Sequence, residues 1–149
     1  MPDTLLIRIA ALGAVALLTW LVVVAVRAYA SLRRRQTLAA APAPEMTSAP
    51  GDTGVRVLAF SSEDCGPCHT LQRPALARLL DQRAGRVHVV EIDAPTSPEL
   101  TRRYAVLTVP TTVVLDATGK ARAVNYGFAP TAKLLAQVDG ALDAQAIPA

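Results

Sequence analysis

From Ile9 to Val26 the chain runs for 18 residues without a charge. A helix of that length is about 27 Å long at ~1.5 Å per residue. A bilayer's hydrocarbon core is ~30 Å thick. Leu5, Leu6 and Ile7 can extend the run, with Arg8 reaching back to the headgroups. Trp20 lies inside it, and Tyr29 falls near the expected interface. This pattern predicts a transmembrane helix over residues 9–27, after a short tail at residues 1–8. A cleaved signal peptide is the alternative, because Ala28-Tyr29-Ala30 has a small-x-small pattern. Against it, the only basic residue before the run is Arg8, offset by Asp3, and the run exceeds the usual ~7–15 residues. Arg27 also intrudes before the would-be cleavage site. Four arginines follow the span and one opens it. The positive-inside bias therefore favours a C-terminal part on the cytoplasmic side, the extracytoplasmic side being the alternative.

The same arginines explain the net charge of +3. Arg8, Arg27, Arg33, Arg34 and Arg35 stand against Asp3 and Glu45 in the first 50 residues. From Gly51 onward the two signs balance. The basic excess is thus a juxtamembrane cluster facing membrane lipid, and no nucleic-acid partner is expected. Residues 28–54 join this cluster to "QTLAAAPAPEMTSAPGDTG", an Ala/Pro-rich stretch from Gln36 that reads as a partly extended tether.

A domain is expected over residues 55–143, with a C-terminal tail at 144–149. "VRVLAF" (Val55–Phe60) reads as a strand. A helical pattern starts near Cys68, with Leu71, Ala75, Leu76, Leu79 and Leu80 on one face. Pro74 should kink it, and Gly85 closes it. "RVHVVEI" (Arg86–Ile92) is a second strand. Ser97 and Pro98 open a helix to about Ala105, with Ser97 as its N-cap. "TTVVLD" (Thr111–Asp116) and "ARAVNY" (Ala121–Tyr126) flank a turn and form a hairpin. Thr131 caps a last helix bearing Leu134, Leu135, Val138 and Leu142. The order β-α-β-α-β-β-α requires one parallel pair with a crossover and one antiparallel pair. The fold class is therefore α/β, a mixed four-stranded sheet with helices on both faces.

Both cysteines lie in one motif, Cys65-Gly66-Pro67-Cys68, so they are not scattered staples. The motif falls where the first strand gives way to the first helix. Cys65 then sits at the helix mouth, where free N–H groups and the helix dipole favour a thiolate. Pro67 lacks an N–H that would go unpaired anyway, and Gly66 puts no side chain over the sulfur. Thiolate Cys65 would attack a disulfide and form a mixed disulfide. Cys68, one turn further, would displace the reduced product.

Together with Val109-Pro110-Thr111-Thr112 about 40 residues on, this motif resembles the thioredoxin family over Val55 to Leu142. The resemblance implies a pared-down thioredoxin fold, which would follow the N-terminal transmembrane helix read from the apolar run. It implies a thiol-disulfide oxidoreductase of the protein-disulfide reductase type, with no cofactor. Cys65 and Cys68 would be catalytic. Gly66, Pro67, Val109, Pro110 and Gly127 would line the substrate groove, with the Val109–Pro110 bond cis. Pro110 has no N–H to donate, which leaves the adjoining backbone free to pair with a substrate strand. The implied partners are a disulfide-bearing protein and an electron donor. That donor would be a thioredoxin reductase or a membrane electron carrier, according to the side of the membrane. "VPTTVVLDATGK" is similar to membrane-tethered thioredoxins of cytochrome c maturation, without their insertion after the first helix.

Several positions depart from the family pattern. Asp64, preceded by Glu63, replaces the tryptophan before the first cysteine. Ala59 replaces the buried acid that relays a proton for the second cysteine, and Val89 replaces a lysine. Pro74 lies six rather than five residues past Cys68. The family's first strand and helix are missing, the tether occupying their place. Asp64 opposes and a cationic His69 favours a thiolate, so both are pKa modulators by position.

Two other classes compete. Cys65-Gly66-Pro67-Cys68-His69 is also the string that attaches haem c, which would make an electron carrier. Its second axial ligand is hard to find, since Met46 is in the tether and His88 on a strand. A thioredoxin-fold docking module would need no cysteines, yet both are intact. No metal site is expected, because zinc wants four ligands and the domain offers two cysteines and two distant histidines.

Overall fold

The computed structural model describes residues 2–39 and 54–146, which divide into two compact units at Arg35/Gln36. Helix α1 covers Pro2–Ala39. From Leu12 onward it is long and apolar enough to cross a membrane. It starts earlier than the span expected at residue 9, since nothing between Thr4 and Arg8 breaks a helix and proline is tolerated in a first turn. It also continues through Arg33–Arg35 to Ala39, so the first four residues assigned to the tether are helical. Gln36–Ala39 holds no residue that ends a helix; the next proline along the chain is Pro42. Of the rest of the expected tether, residues 40–53 lie outside the described residues, and Gly54 is buried. Within the second unit, Thr37 is buried, and its hydroxyl donates to the Tyr104 carbonyl at 2.7 Å.

The remaining elements are β1 (Val55–Ser61), a π-turn (Cys68–Gln72), α2 (Arg73–Gln82), β2 (Val87–Asp93), α3 (Pro98–Arg103), β3 (Thr111–Leu115), β4 (Ala121–Tyr126) and α4 (Thr131–Ala146). The sheet order is β2-β1-β3-β4. β1 pairs parallel to β2 and antiparallel to β3, and β3 pairs antiparallel to β4. The sheet is mixed, as the element order requires. Strand β3 is buried throughout, as befits a strand covered on both faces.

Two cores follow from the alternation along β1. Val55, Val57 and Ala59 face Ala75, Leu76 and Leu79 of α2 and Leu134 and Val138 of α4. Leu58 and Phe60 face the other way, toward Tyr104, Ile92 and Val113.

Several local features differ from the sequence-based expectation. The π-turn replaces a simple kink at Pro74. Arg73 N–H donates to the Cys68 carbonyl, one residue further back than in an α-helix. Pro74 has no amide for the Thr70 carbonyl, and its ring would crowd that oxygen. Widening the turn relieves both. The extra residue turns Leu71 outward and Gln72 inward: Leu71 is 48% exposed, Gln72 only 3%. Leu80 is also exposed. Ser97 holds the N-cap position of α3 but makes no side-chain cap hydrogen bond. Thr131 does not cap α4. The first bonds of that helix return to the Pro130 carbonyl, and the Thr131 hydroxyl donates to Ala75 O instead. α4 runs to Ala146, so residues 144–146 are helix rather than tail; residues 147–149 lie outside the described residues.

The hairpin turn is organised by Asp116, which is buried. Its carboxylate accepts from Thr118 N–H (2.9 Å), Lys120 N–H (3.0 Å) and Arg122 Nε (2.6 Å). Burial alone would raise its pKa. Hydrogen bonds from Thr118, Arg122 and Lys120, with the Arg122 charge, outweigh that and hold it below the usual carboxylate range. On α4, the Arg83 hydrogen bond likewise lowers Asp139. A depressed folded-state pKa gives stability that is present above the unfolded value of ~3.9 and lost as pH falls through the folded one. We predict that Asp116→Ala costs about 2–3 kcal/mol at neutral pH, because it strands buried donors. Denaturant unfolding across pH should also show a weaker acid dependence in this variant. An unchanged midpoint and acid profile would contradict the role given to Asp116.

Candidate active site

β1 ends at Ser61, and a short turn delivers the chain to Cys65. The Cys65 carbonyl accepts from Cys68 N–H at 3.0 Å and His69 N–H at 3.3 Å. Cys65 therefore holds the N-cap position, with Gly66, Pro67 and Cys68 as the first three helical residues. Its Sγ does what an N-cap oxygen normally does, accepting the Cys68 N–H at 3.2 Å. Pro67 fits because that position has no intrahelical acceptor for an N–H.

The two sulfurs are joined in a disulfide, with the Cα atoms 5.3 Å apart. Both cysteines are largely buried, Cys65 at 8% and Cys68 at 5% exposure. Gly66, Pro67, Glu63, Asp64 and His69 around them are exposed. Nε2 of His69 lies 2.9 Å from the Glu63 carbonyl, which ties the ring back over the turn.

Pro110 comes from the far side. The Val109–Pro110 peptide bond is cis, and Pro110 is buried at the start of β3. Pro110 and Cys68 line one cavity. The Pro110 carbonyl accepts Gly127 N–H at 2.8 Å, which fixes the chain after β4 beside it. Gly127 needs to be glycine for its backbone, at φ +86°, and not for lack of room. The structure thus gathers Cys65, Cys68, Val109, Pro110 and Gly127 at one end of the sheet. Among the described residues, no group of three or more His, Cys, Asp or Glu is placed to hold a metal ion.

Gln72 is missing from the sequence reading. Its amide Oε1 accepts Ala129 N–H at 2.9 Å, and its Nε2 donates to Ala129 O at 3.3 Å. This reciprocal pair imitates a strand contact and pins the segment after Gly127 to the π-turn. Its signal was available as the spacing Cys68, Gln72, Leu76, Leu79, a buried stripe with one polar member. Glu91 also belongs to the surroundings of Cys68, through the same cavity.

A family model described as thioredoxin matches residues 49–140. Thioredoxin of Bacillus subtilis (strain 168) is 31% identical over 83 residues, covering 56% of this chain and 78% of that protein. The crystal structure of chloroplastic thioredoxin z aligns with a TM-score of 0.55 at 29% identity, over 67% of this chain and 87% of that one. The germline-specific thioredoxin Deadhead of Drosophila melanogaster aligns with a TM-score of 0.53 at 30% identity, over 60% and 82%.

Replacing Gln72 by leucine should cost about 2 kcal/mol, since it leaves the buried main chain of Ala129 without partners. Hydrogen exchange is the direct check: the Ala129 amide should lose protection well beyond the global change in stability. Equal loss everywhere would mean that Gln72 only fills space.

Proposed function

The chain belongs to the thioredoxin family, and on that premise we propose that it is a membrane-tethered protein-disulfide reductase. Thiol-disulfide oxidoreductase chemistry in general follows from the family and the joined cysteine pair. The finer reading rests chiefly on one observation. Cys65 Sγ sits at a helix mouth, accepts a backbone N–H, and is within bonding reach of Cys68.

The cycle begins when an electron donor reduces the Cys65–Cys68 disulfide to two thiols. Cys65 then attacks a substrate disulfide as thiolate, stabilised by the N–H groups and dipole at the helix mouth. One substrate sulfur leaves, and Cys65 keeps the other as a mixed disulfide. Cys68 attacks Cys65 Sγ, re-forms the internal disulfide and expels the second substrate thiolate. Val109, Pro110 and Gly127 form the groove that receives the substrate main chain, supported by the bond from Gly127 N–H to Pro110 O. Gly66 and Pro67 form its other rim. Glu63 and Asp64 oppose the thiolate and a protonated His69 favours it, so these side chains tune the reactivity of Cys65.

The Gly-Pro spacer favours a reductant, with a potential nearer ~−270 mV than ~−120 mV. Helix α1 supplies the anchor, and the basic cluster after it favours a cytoplasmic domain. The donor would then be a thioredoxin reductase; an external domain would draw on a membrane electron carrier.

With dithiothreitol as donor, the protein should reduce insulin well above background. Cys65→Ser should abolish turnover, and Cys68→Ser should accumulate mixed disulfides visible on non-reducing gels. Equal trapping by both variants would sink the assigned roles. An impermeant thiol reagent applied to intact cells should leave Cys65 unlabelled; labelling would place the domain outside.

A further inference from the structure

Closing the internal disulfide needs more than a second sulfur. Cys68 attacks as a thiolate, so its proton must have somewhere to go. In the thioredoxin pattern a buried acid on the strand before the first cysteine accepts it. Here that position is Ala59, 5% exposed, and a methyl group accepts nothing.

Behind Cys68 lies a cavity of about 20 Å³, room for roughly one water molecule. Ala59, Cys68, Gln72, Glu91 and Pro110 line it, with His69 and Arg73. Ala59 and Glu91 are direct partners across β1 and β2. Paired residues in neighbouring strands point to the same face. Glu91 thus brings a carboxylate to the wall where Ala59 brings none. Arg73, next after the π-turn, holds it through Nη2 at 3.2 Å from Oε2. The Glu91 side chain is 55% exposed, so a proton taken there passes on to solvent.

Of the other polar lining groups, Ser61 offers only a hydroxyl, far less basic than a carboxylate. The Arg73 guanidinium offers donors and no acceptor. His69 donates Nε2–H to the Glu63 carbonyl, which leaves Nδ1 as its acceptor and makes His69 the rival that the test below separates from Glu91. Both amide atoms of Gln72 are engaged by Ala129.

We propose that Glu91 is the proton acceptor for Cys68, acting through one water in this cavity. The acid function has moved one strand over, from β1 to its partner position on β2. This inference rests on the exchange chemistry proposed above. In the step, the Cys68 S–H proton passes through the water to the Glu91 carboxylate. Cys68 Sγ bonds to Cys65 Sγ, the bond from Cys65 to the substrate sulfur breaks, and the substrate leaves as thiolate with the electron pair.

The test uses the reduced full-length chain in detergent, mixed rapidly with one equivalent of 5,5′-dithiobis(2-nitrobenzoate). The attack of Cys65 releases a first thionitrobenzoate, and ring closure by Cys68 releases a second. Glu91→Gln should leave the first release unchanged. It should slow the second about tenfold near pH 7, less than the ~10²-fold or more of direct proton transfer, because solvent also accepts protons. The gap should close towards about pH 9, where a thiol ionises unaided. Adding Ala59→Asp to Glu91→Gln should restore the second release. An identical second phase in Glu91→Gln and wild type from about pH 6 to about pH 9 overturns the inference. So does slowing by His69→Gln in place of Glu91→Gln, or failure of Ala59→Asp to rescue while the first release stays intact. A wild type with no second release overturns the exchange reading and this inference with it, a result distinguishable from all the others.

Discussion

Everything at the site hangs from β1, buried on both faces and hydrogen-bonded along both edges. Its parallel partner β2 cannot be reached by a tight turn, so the chain must cross over through a helix. That helix begins where β1 ends, and Cys65 stands at its mouth. Its antiparallel partner β3 runs the other way, so the start of β3, with Pro110, lies at the same end. One parallel and one antiparallel neighbour thus bring together residues about 40 positions apart. The chemistry then needs only the right side chains at those two ends.

The helix that carries the cysteines meets two demands within a few residues. Cys65 must cap it, and Pro74 must fit inside it. The π-turn between them reconciles these demands by skipping the amide that proline lacks. The consequence reaches beyond the helix. With one more residue in the turn, Gln72 faces inward and grips Ala129, and so steadies the chain that follows Gly127. The site departs from the family pattern in linked ways. An acid is absent from β1, and a carboxylate approaches from β2. The proline lies one residue later than in that pattern.

Helix α1 and the second unit obey different physics. Along α1 the apolar side chains Leu12, Val15, Leu18 and Trp20 are exposed, and from Leu12 onward the helix is long and apolar enough to cross a membrane. In the second unit the apolar residues are sorted to two faces of a sheet. Composition averaged over the chain hides this split, and the net positive charge belongs wholly to the first 50 residues, around α1.

The sequence by itself determined the elements, their order, the mixed sheet and the pair of sulfurs. These are local matters: apolar period, turn residues, and a spacer that sets two thiols one turn apart. β4 lies where its residues place it, and the other strands differ from their expected ends by one residue. The tertiary structure alone decided which side chains meet. Gln72 and Glu91 are polar residues with no motif, and their partners Ala129, Ala59 and Arg73 are distant in sequence. Only the π-turn's rotation and the β1–β2 register bring them to the cysteines. A one-residue shift in either would turn those side chains away. Local propensity reads elements well because it acts within a few residues. Register and helix phase answer to packing across the whole domain.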